Sequence, residues 1–86
     1  MKVEVKLFAT FREHLPPGHK ESCVLELAEG ARVVEVMETL RIPRDLPNMI
    51  LLNGRQGAPE SELHHGDVLS IFPPLAGGLV PQALPP

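Results

Sequence analysis

Hydrophobic and polar residues alternate one by one at the start of the chain. In KVEVKLF, Val3, Val5 and Leu7 fall on one side and Lys2, Glu4 and Lys6 on the other. A period of two marks a strand with one buried face. The next segment holds Pro16, Pro17 and Gly18 and reads as the turn of a hairpin. Cys23, Leu25 and Leu27 then share a face of a second strand. At Gly30 the pattern breaks and the period lengthens. Val33, Val36, Met37 and Leu40 recur at helical spacing, opposite Glu35, Glu38, Thr39 and Arg41. The adjacent valines Val33 and Val34 lower intrinsic helicity, so this helix depends on packing against a sheet. It must end before Pro43, because proline disfavours helical geometry in the residue preceding it.

The second half is shorter in its rhythms. NMILLN is nearly all apolar, which fits a strand buried on both faces or covered by a partner. Asn53-Gly54 is a strong tight-turn signal. RQGAPESELHHG reads as a polar loop with Leu63 as its single anchor. VLSIF makes the last strand, and Pro73-Pro74 forbids its continuation inside a sheet. The order is strand, strand, helix, strand, loop, strand. The first two strands pair as a hairpin, and the helical connection allows a later strand to lie parallel to a neighbour. The smallest arrangement that buries these faces is a mixed sheet packed on one helix, an α+β fold.

Composition narrows the function. The chain has 86 residues, one small domain. It holds three Phe and no Tyr or Trp, so the core is aliphatic and no aromatic platform exists for stacking bases or sugars. Eleven acidic against eight scattered basic residues give a net charge of -3, which argues against nucleic-acid binding. The longest apolar run is far too short for a membrane span, and Met1 leads directly into the first strand without a signal sequence. One cysteine, Cys23, excludes an internal disulfide and fits a reducing compartment, so a cytoplasmic location is expected.

Several residue groups invite chemistry. Cys23 has the makings of a reactive thiol, but its place on the face shared with Leu25 and Leu27 favours a buried structural cysteine. His64-His65 are neighbours that rarely point at one ion, and a solvated turn is the better reading, with no metal site expected. Gly66-Asp67 reads as a turn entering a strand, and Asn53-Gly54-Arg55 as another, with a weaker role for Arg55 toward an acidic partner. Glu35 and Glu38 form a solvated helix face. No Ser-His-Asp, phosphate-loop or paired-carboxylate arrangement is present. Phe72 at the last strand's end serves equally well as a core cap or as part of a docking patch, whereas Leu75, in the tail, is better read as a partner contact.

Together, VKLFATFRE, LELAEGARVVEVMETL, LLNG and HHGDVLSIFPPLAGG, at their spacing, resemble the ubiquitin-like β-grasp sulfur carriers. Within that group the chain is most similar to the small subunit of molybdopterin synthase, with the thiamine-pathway carrier as a cousin. The resemblance covers residues 1–78 and implies a carrier with no catalytic apparatus and no bound cofactor. An adenylating, ubiquitin-activating-like enzyme uses ATP to activate the terminal glycine carboxylate. A sulfur donor displaces AMP, and the resulting thiocarboxylate passes its sulfur to a pterin precursor in the large synthase subunit or to another sulfur-accepting enzyme. Carried onto this chain, the reacting residue is Gly78, preceded by Gly77, and the partner contacts are Phe72, Pro73, Pro74, Leu75 and Ala76. Glycines lacking Cβ thread a narrow channel, and residues 73–78 reach at most about 20 Å at full extension.

One feature departs from that pattern. Gly78 is joined to Leu79, and LVPQALPP follows as a flexible, Pro-rich extension over residues 79–86. A peptide-bonded Gly78 has no carboxylate to activate, so carriage requires a peptidase that removes residues 79–86. The alternatives are a sulfur carrier serving thiamine, cysteine or tRNA thiolation, a ubiquitin-like modifier forming an isopeptide through Gly78, and a β-grasp interaction module with its tail intact.

Overall fold

The computed structural model describes residues 1–43 and 48–73. In chain order these form β1 (Lys2–Leu7), a 3-10 helix (Ala9–His14), β2 (Ser22–Glu26), α1 (Val33–Thr39), β3 (Met49–Leu52), β4 (Arg55–Gln56) and β5 (Val68–Phe72). The strands make one sheet in the order β2-β1-β5-β3-β4. β1 and β2 form the expected antiparallel hairpin, with Val5 opposite Cys23. β5 inserts beside β1 and runs parallel to it, Leu7 lying next to Ile71. β3 flanks the other side of β5 antiparallel, with Ile50 opposite Ile71. This mixed sheet packed on one helix is the ubiquitin-like β-grasp arrangement.

The alternation along β1 and β5 decides which face is dry. Val3, Val5, Leu7, Leu69 and Ile71 have no solvent exposure, and they meet Val33, Val36 and Met37 of α1. The buried core is apolar, with no buried polar or charged residue among the described residues. Ordering so short a helix needs its end groups satisfied. The Arg32 backbone N–H donates to Glu35 Oε2 at 2.9 Å, while Val33 and Val34 donate to the carbonyls of Ser61 and Pro59. At the other end Arg41 turns left-handed at φ 60°, letting Ile42 N–H reach the Met37 carbonyl at 2.8 Å and Arg41 N–H reach Glu38. These are the paired bonds of a Schellman motif, with arginine where glycine is usual. The helix therefore stops before Pro43 by its own cap.

Three expectations change. The segment read as a simple hairpin turn contains the 3-10 helix, whose Phe11 is buried, and Leu15 beyond it is buried as well. These two side chains join the core cluster. The polar loop holds β4, paired antiparallel to β3 through Leu52 and Arg55, and an isolated bridge between Arg32 and Glu62. Leu63 anchors it as expected, at 1% exposure. Finally, β3 is not buried on both faces: Ile50 is buried, but Met49 and Leu51 are only half-buried. The Asn53-Gly54 turn has positive φ at both residues, 54° and 83°, the condition for a type I′ hairpin turn.

Placing a carboxylate on the dry face of α1 tests this packing. Val36→Asp is expected to cost more than about 4 kcal/mol, close to the whole stability of so small a domain. Urea denaturation should show a chain unfolded or nearly so in buffer; a cooperative transition near that of the native sequence would contradict the helix placement.

Candidate functional site

β5 is the strand that carries the chain toward its C-terminal segment, and it lies between β1 and β3 rather than at an edge. Its last residues are therefore held from both sides. Met49 lies opposite Phe72 on β3, and Phe8 N–H donates to the Ile71 carbonyl at 3.3 Å. The Phe8 ring stacks on Phe72 with centroids 4.1 Å apart and planes 11° from parallel. Both rings are half-buried, on the sheet face turned away from α1. Pro73 follows, buried and without an N–H, so the ladder ends there.

Phe72 consequently is not part of the core cluster. It belongs to an outer-face strip in which Val68, Ser70 and Phe72 alternate along β5, beside Met49 and Leu51 of β3. The cationic side chains Lys6 and Arg12 flank this end. With Phe8, Glu21 and Ser22 they line a depression of about 160 Å³, and Arg12 Nε donates to the Leu7 carbonyl at 3.3 Å. Pro74, Leu75, Ala76, Gly77, Gly78 and residues 79–86 lie outside the described residues.

Phe8 did not emerge from the sequence as a candidate. Its signal was present: it continues the polar register of Lys2, Glu4 and Lys6, an aromatic ring on the side expected to face water. What made it meet Phe72 was the parallel pairing of distant strands, which no local pattern reveals.

The opposite end of β5 is held by turn chemistry. Asn53 Nδ2 donates to Asp67 Oδ1 at 2.9 Å, Asn53 Oδ1 accepts from Val68 N–H at 2.8 Å, and Asp67 Oδ2 accepts from His64 N–H at 2.8 Å. Asn53 and Asp67 thus tie the β3-β4 turn to the entry of β5, a structural task rather than a catalytic one. His65 Nδ1 accepts from Lys2 N–H at 3.0 Å, and the His64 side chain is largely exposed. The two histidines serve the turn, and no cluster of three potential metal-ligating side chains occurs among the described residues. Cys23 is buried at 4% exposure, and burial pushes its thiol above the ordinary value, so the nucleophilic thiolate is disfavoured. Among the described residues no helix is long and apolar enough to cross a membrane.

The ThiS family profile matches residues 5–78. Among solved structures, a protein assigned as molybdopterin converting factor subunit 1 from Pyrococcus furiosus is 34% identical over 86% of this chain and 98% of its own, with a TM-score of 0.67. The small archaeal modifier protein 1 of Haloferax volcanii is 26% identical over 86% of this chain and 98% of its own, at a TM-score of 0.70. A complex of subunits 1 and 2 of the molybdopterin-converting factor from Helicobacter pylori contains a chain 25% identical over 91% of this one and 100% of its own, at 0.58. No curated protein sequence matches the chain significantly.

Two expectations follow from the site's geometry. Phe8→Ala removes the stacking partner of Phe72 and should lower stability by about 1–2 kcal/mol in denaturant titration, the ring contact plus part of its buried area. A change within error would mean that the stack contributes nothing to holding the end of β5. Cys23 should resist iodoacetamide in the native protein and react once the chain is unfolded in urea, read by mass spectrometry. Rapid native labelling would show a thiol more open than its burial implies.

Proposed function

The chain is a member of the ThiS family of ubiquitin-fold sulfur carriers, and on that premise we propose that it delivers sulfur as a thiocarboxylate on Gly78, for building the molybdopterin of molybdenum or tungsten cofactors. The observation that carries the reading is the anchoring of β5: Phe8 and Phe72 stack just before buried Pro73, so the segment leading to Gly78 starts from a fixed point in the middle of the sheet. A carrier needs such a point, because its reacting end must enter another protein's active site while the domain stays docked outside. The half-buried apolar strip of Val68, Phe72, Met49 and Leu51, with Lys6 and Arg12 at its margin, supplies a surface against which a partner can bury area.

The chemistry is then that of a carried acyl group. A peptidase cleaves the Gly78–Leu79 bond and frees the Gly78 carboxylate. The family match ending at residue 78 supports that boundary. An adenylating enzyme joins the carboxylate to ATP, releasing pyrophosphate. A persulfide donor attacks the acyl-adenylate and expels AMP to give an acyl disulfide. A thiol then reduces its S–S bond, leaving the thiocarboxylate on Gly78 and the donor in a disulfide with that thiol. The carrier itself contributes reach and fit: glycines at 77 and 78 present no side chain to the walls of a narrow channel. Leu75 and Pro74 extend the docking contact, and the large synthase subunit is the receiving partner. The Helicobacter pylori complex of subunits 1 and 2 supports a two-protein arrangement.

A second reading has its own support in the likeness to an archaeal modifier protein. There the activated Gly78 acylates a lysine amine on another protein, giving an isopeptide in place of a thiocarboxylate.

One experiment separates these. The full chain, the chain ending at Gly78 and the chain ending at Gly77 are each incubated with ATP, a sulfur donor and the activating enzyme from the same organism, then weighed intact. Only the chain ending at Gly78 should gain the mass of an oxygen-to-sulfur exchange. Equal loading of all three sinks the role of Gly78, and loading of the full chain sinks the need for cleavage. Conjugates of higher mass in cells, without thiocarboxylate, favour the modifier.

A further inference from the structure

The two edges of the sheet are unlike. β4 is a two-residue edge, too short to template a neighbour, whereas β2 spans Ser22–Glu26, contains no proline and pairs with β1 in an unbroken register. Protective devices usual at long edges are therefore missing along most of β2. The direction of its backbone groups follows from the hairpin's bonds. Leu27 N–H donates to the Met1 carbonyl at 2.7 Å and Leu7 N–H to the Glu21 carbonyl at 3.1 Å. In an antiparallel ladder bonded and non-bonded pairs alternate, so Cys23 and Leu25 bond to β1 while Ser22, Val24 and Glu26 turn their N–H and C=O outward. Among the described residues nothing pairs with that edge.

At its centre stands Val24, 61% exposed and the one large hydrophobic residue so exposed among the described residues. Leu25, on the other face of the same strand, and Leu27 just beyond its end are only partly covered by the core.

We propose that β2 is a self-association edge, pairing antiparallel with β2 of a second copy about a two-fold axis at Val24. The occupant follows from self-complementarity. In this register Val24 meets its symmetry mate, Ser22 lies opposite the partner's Glu26, and every outward N–H and C=O of the three residues finds a bond. The Ser22 hydroxyl can donate to the facing carboxylate. Centring the axis on Glu26 instead would set two carboxylates directly opposite each other, which is destabilising. The exposed Lys20 lies upstream of Ser22, on the side toward which the partner's Glu26 runs, and would add a second cation to a carboxylate whose own partner is the Met1 ammonium at 3.3 Å. The two sheets become one continuous sheet through a symmetric interface. β5 is separated from β2 by β1, so Phe72 and Pro73 stay clear of the contact.

Sedimentation of the full chain over a concentration series tests this. The weight-average mass is expected to rise toward about twice the monomer value. Val24→Lys, at an exposed position, should keep the melting temperature and remain monomeric throughout, because two ammonium groups would face each other across the axis. The register has its own readout. Across a bonded antiparallel pair the Cα atoms lie about 5.5 Å apart, within disulfide reach. Val24→Cys should therefore form a disulfide-linked dimer on mild oxidation, and Glu26→Cys should not. A native chain of constant monomer mass, a Val24→Lys chain that associates equally, or cross-linking of Glu26→Cys as readily as Val24→Cys would each overturn the proposal.

Discussion

The parallel pairing of β1 with β5 is the contact on which the rest depends. It joins the first strand to the last described one across nearly the whole domain, so its loop-closure cost is the largest in the fold. Once made, it sets Leu7 beside Ile71 in the dry layer and brings the ends of both strands to one margin of the sheet. That margin is where Phe8 finds Phe72. Neither ring has a reason to be where it is in its local sequence alone. The position from which the C-terminal segment departs is thus a product of global topology.

A second layer of constraint keeps the register of β5 from slipping. Slippage by one residue would turn Leu69 and Ile71 to the solvent side and Val68 and Phe72 inward. Asn53 and Asp67 oppose this at the entry to the strand, since their side chains bond one another and Asn53 Oδ1 also accepts from Val68 N–H. The polar segment between β4 and β5 serves the helix in turn, lending the carbonyls of Pro59 and Ser61 to the first N–H groups of α1. A region with little core of its own is therefore tied both to the start of α1 and to the entry of β5.

Much of this was legible from residue order. The alternation in KVEVKLF, the helical recurrence of Val33, Val36, Met37 and Leu40, and the Asn53-Gly54 turn are local signals, and each appears in the structure as read. The 3-10 helix was not legible, because six residues containing one buried side chain offer no period to detect. β4 is too short for any alternation. The end of the helix before Pro43 was legible, but its cap was not: a left-handed cap is usually announced by glycine, and here Arg41 takes that conformation, followed by the buried Ile42. At the candidate site the strand-end positions of Phe72 and Pro73 were legible, while the neighbour of Phe72, Phe8, needed the pairing of remote strands.

The central position of β5 also fixes how the domain answers to force. A pull on the chain beyond Pro73 acts along the strand axis, across hydrogen bonds to β1 on one side and β3 on the other. Those bonds lie transverse to the load and share it at once, so they fail together or not at all. An edge strand pulled away sideways would instead open one bond after another, like a zip. On the proposed function, tension on a tail drawn into a partner's channel would reach the body of the sheet through these shared bonds rather than by unravelling an edge.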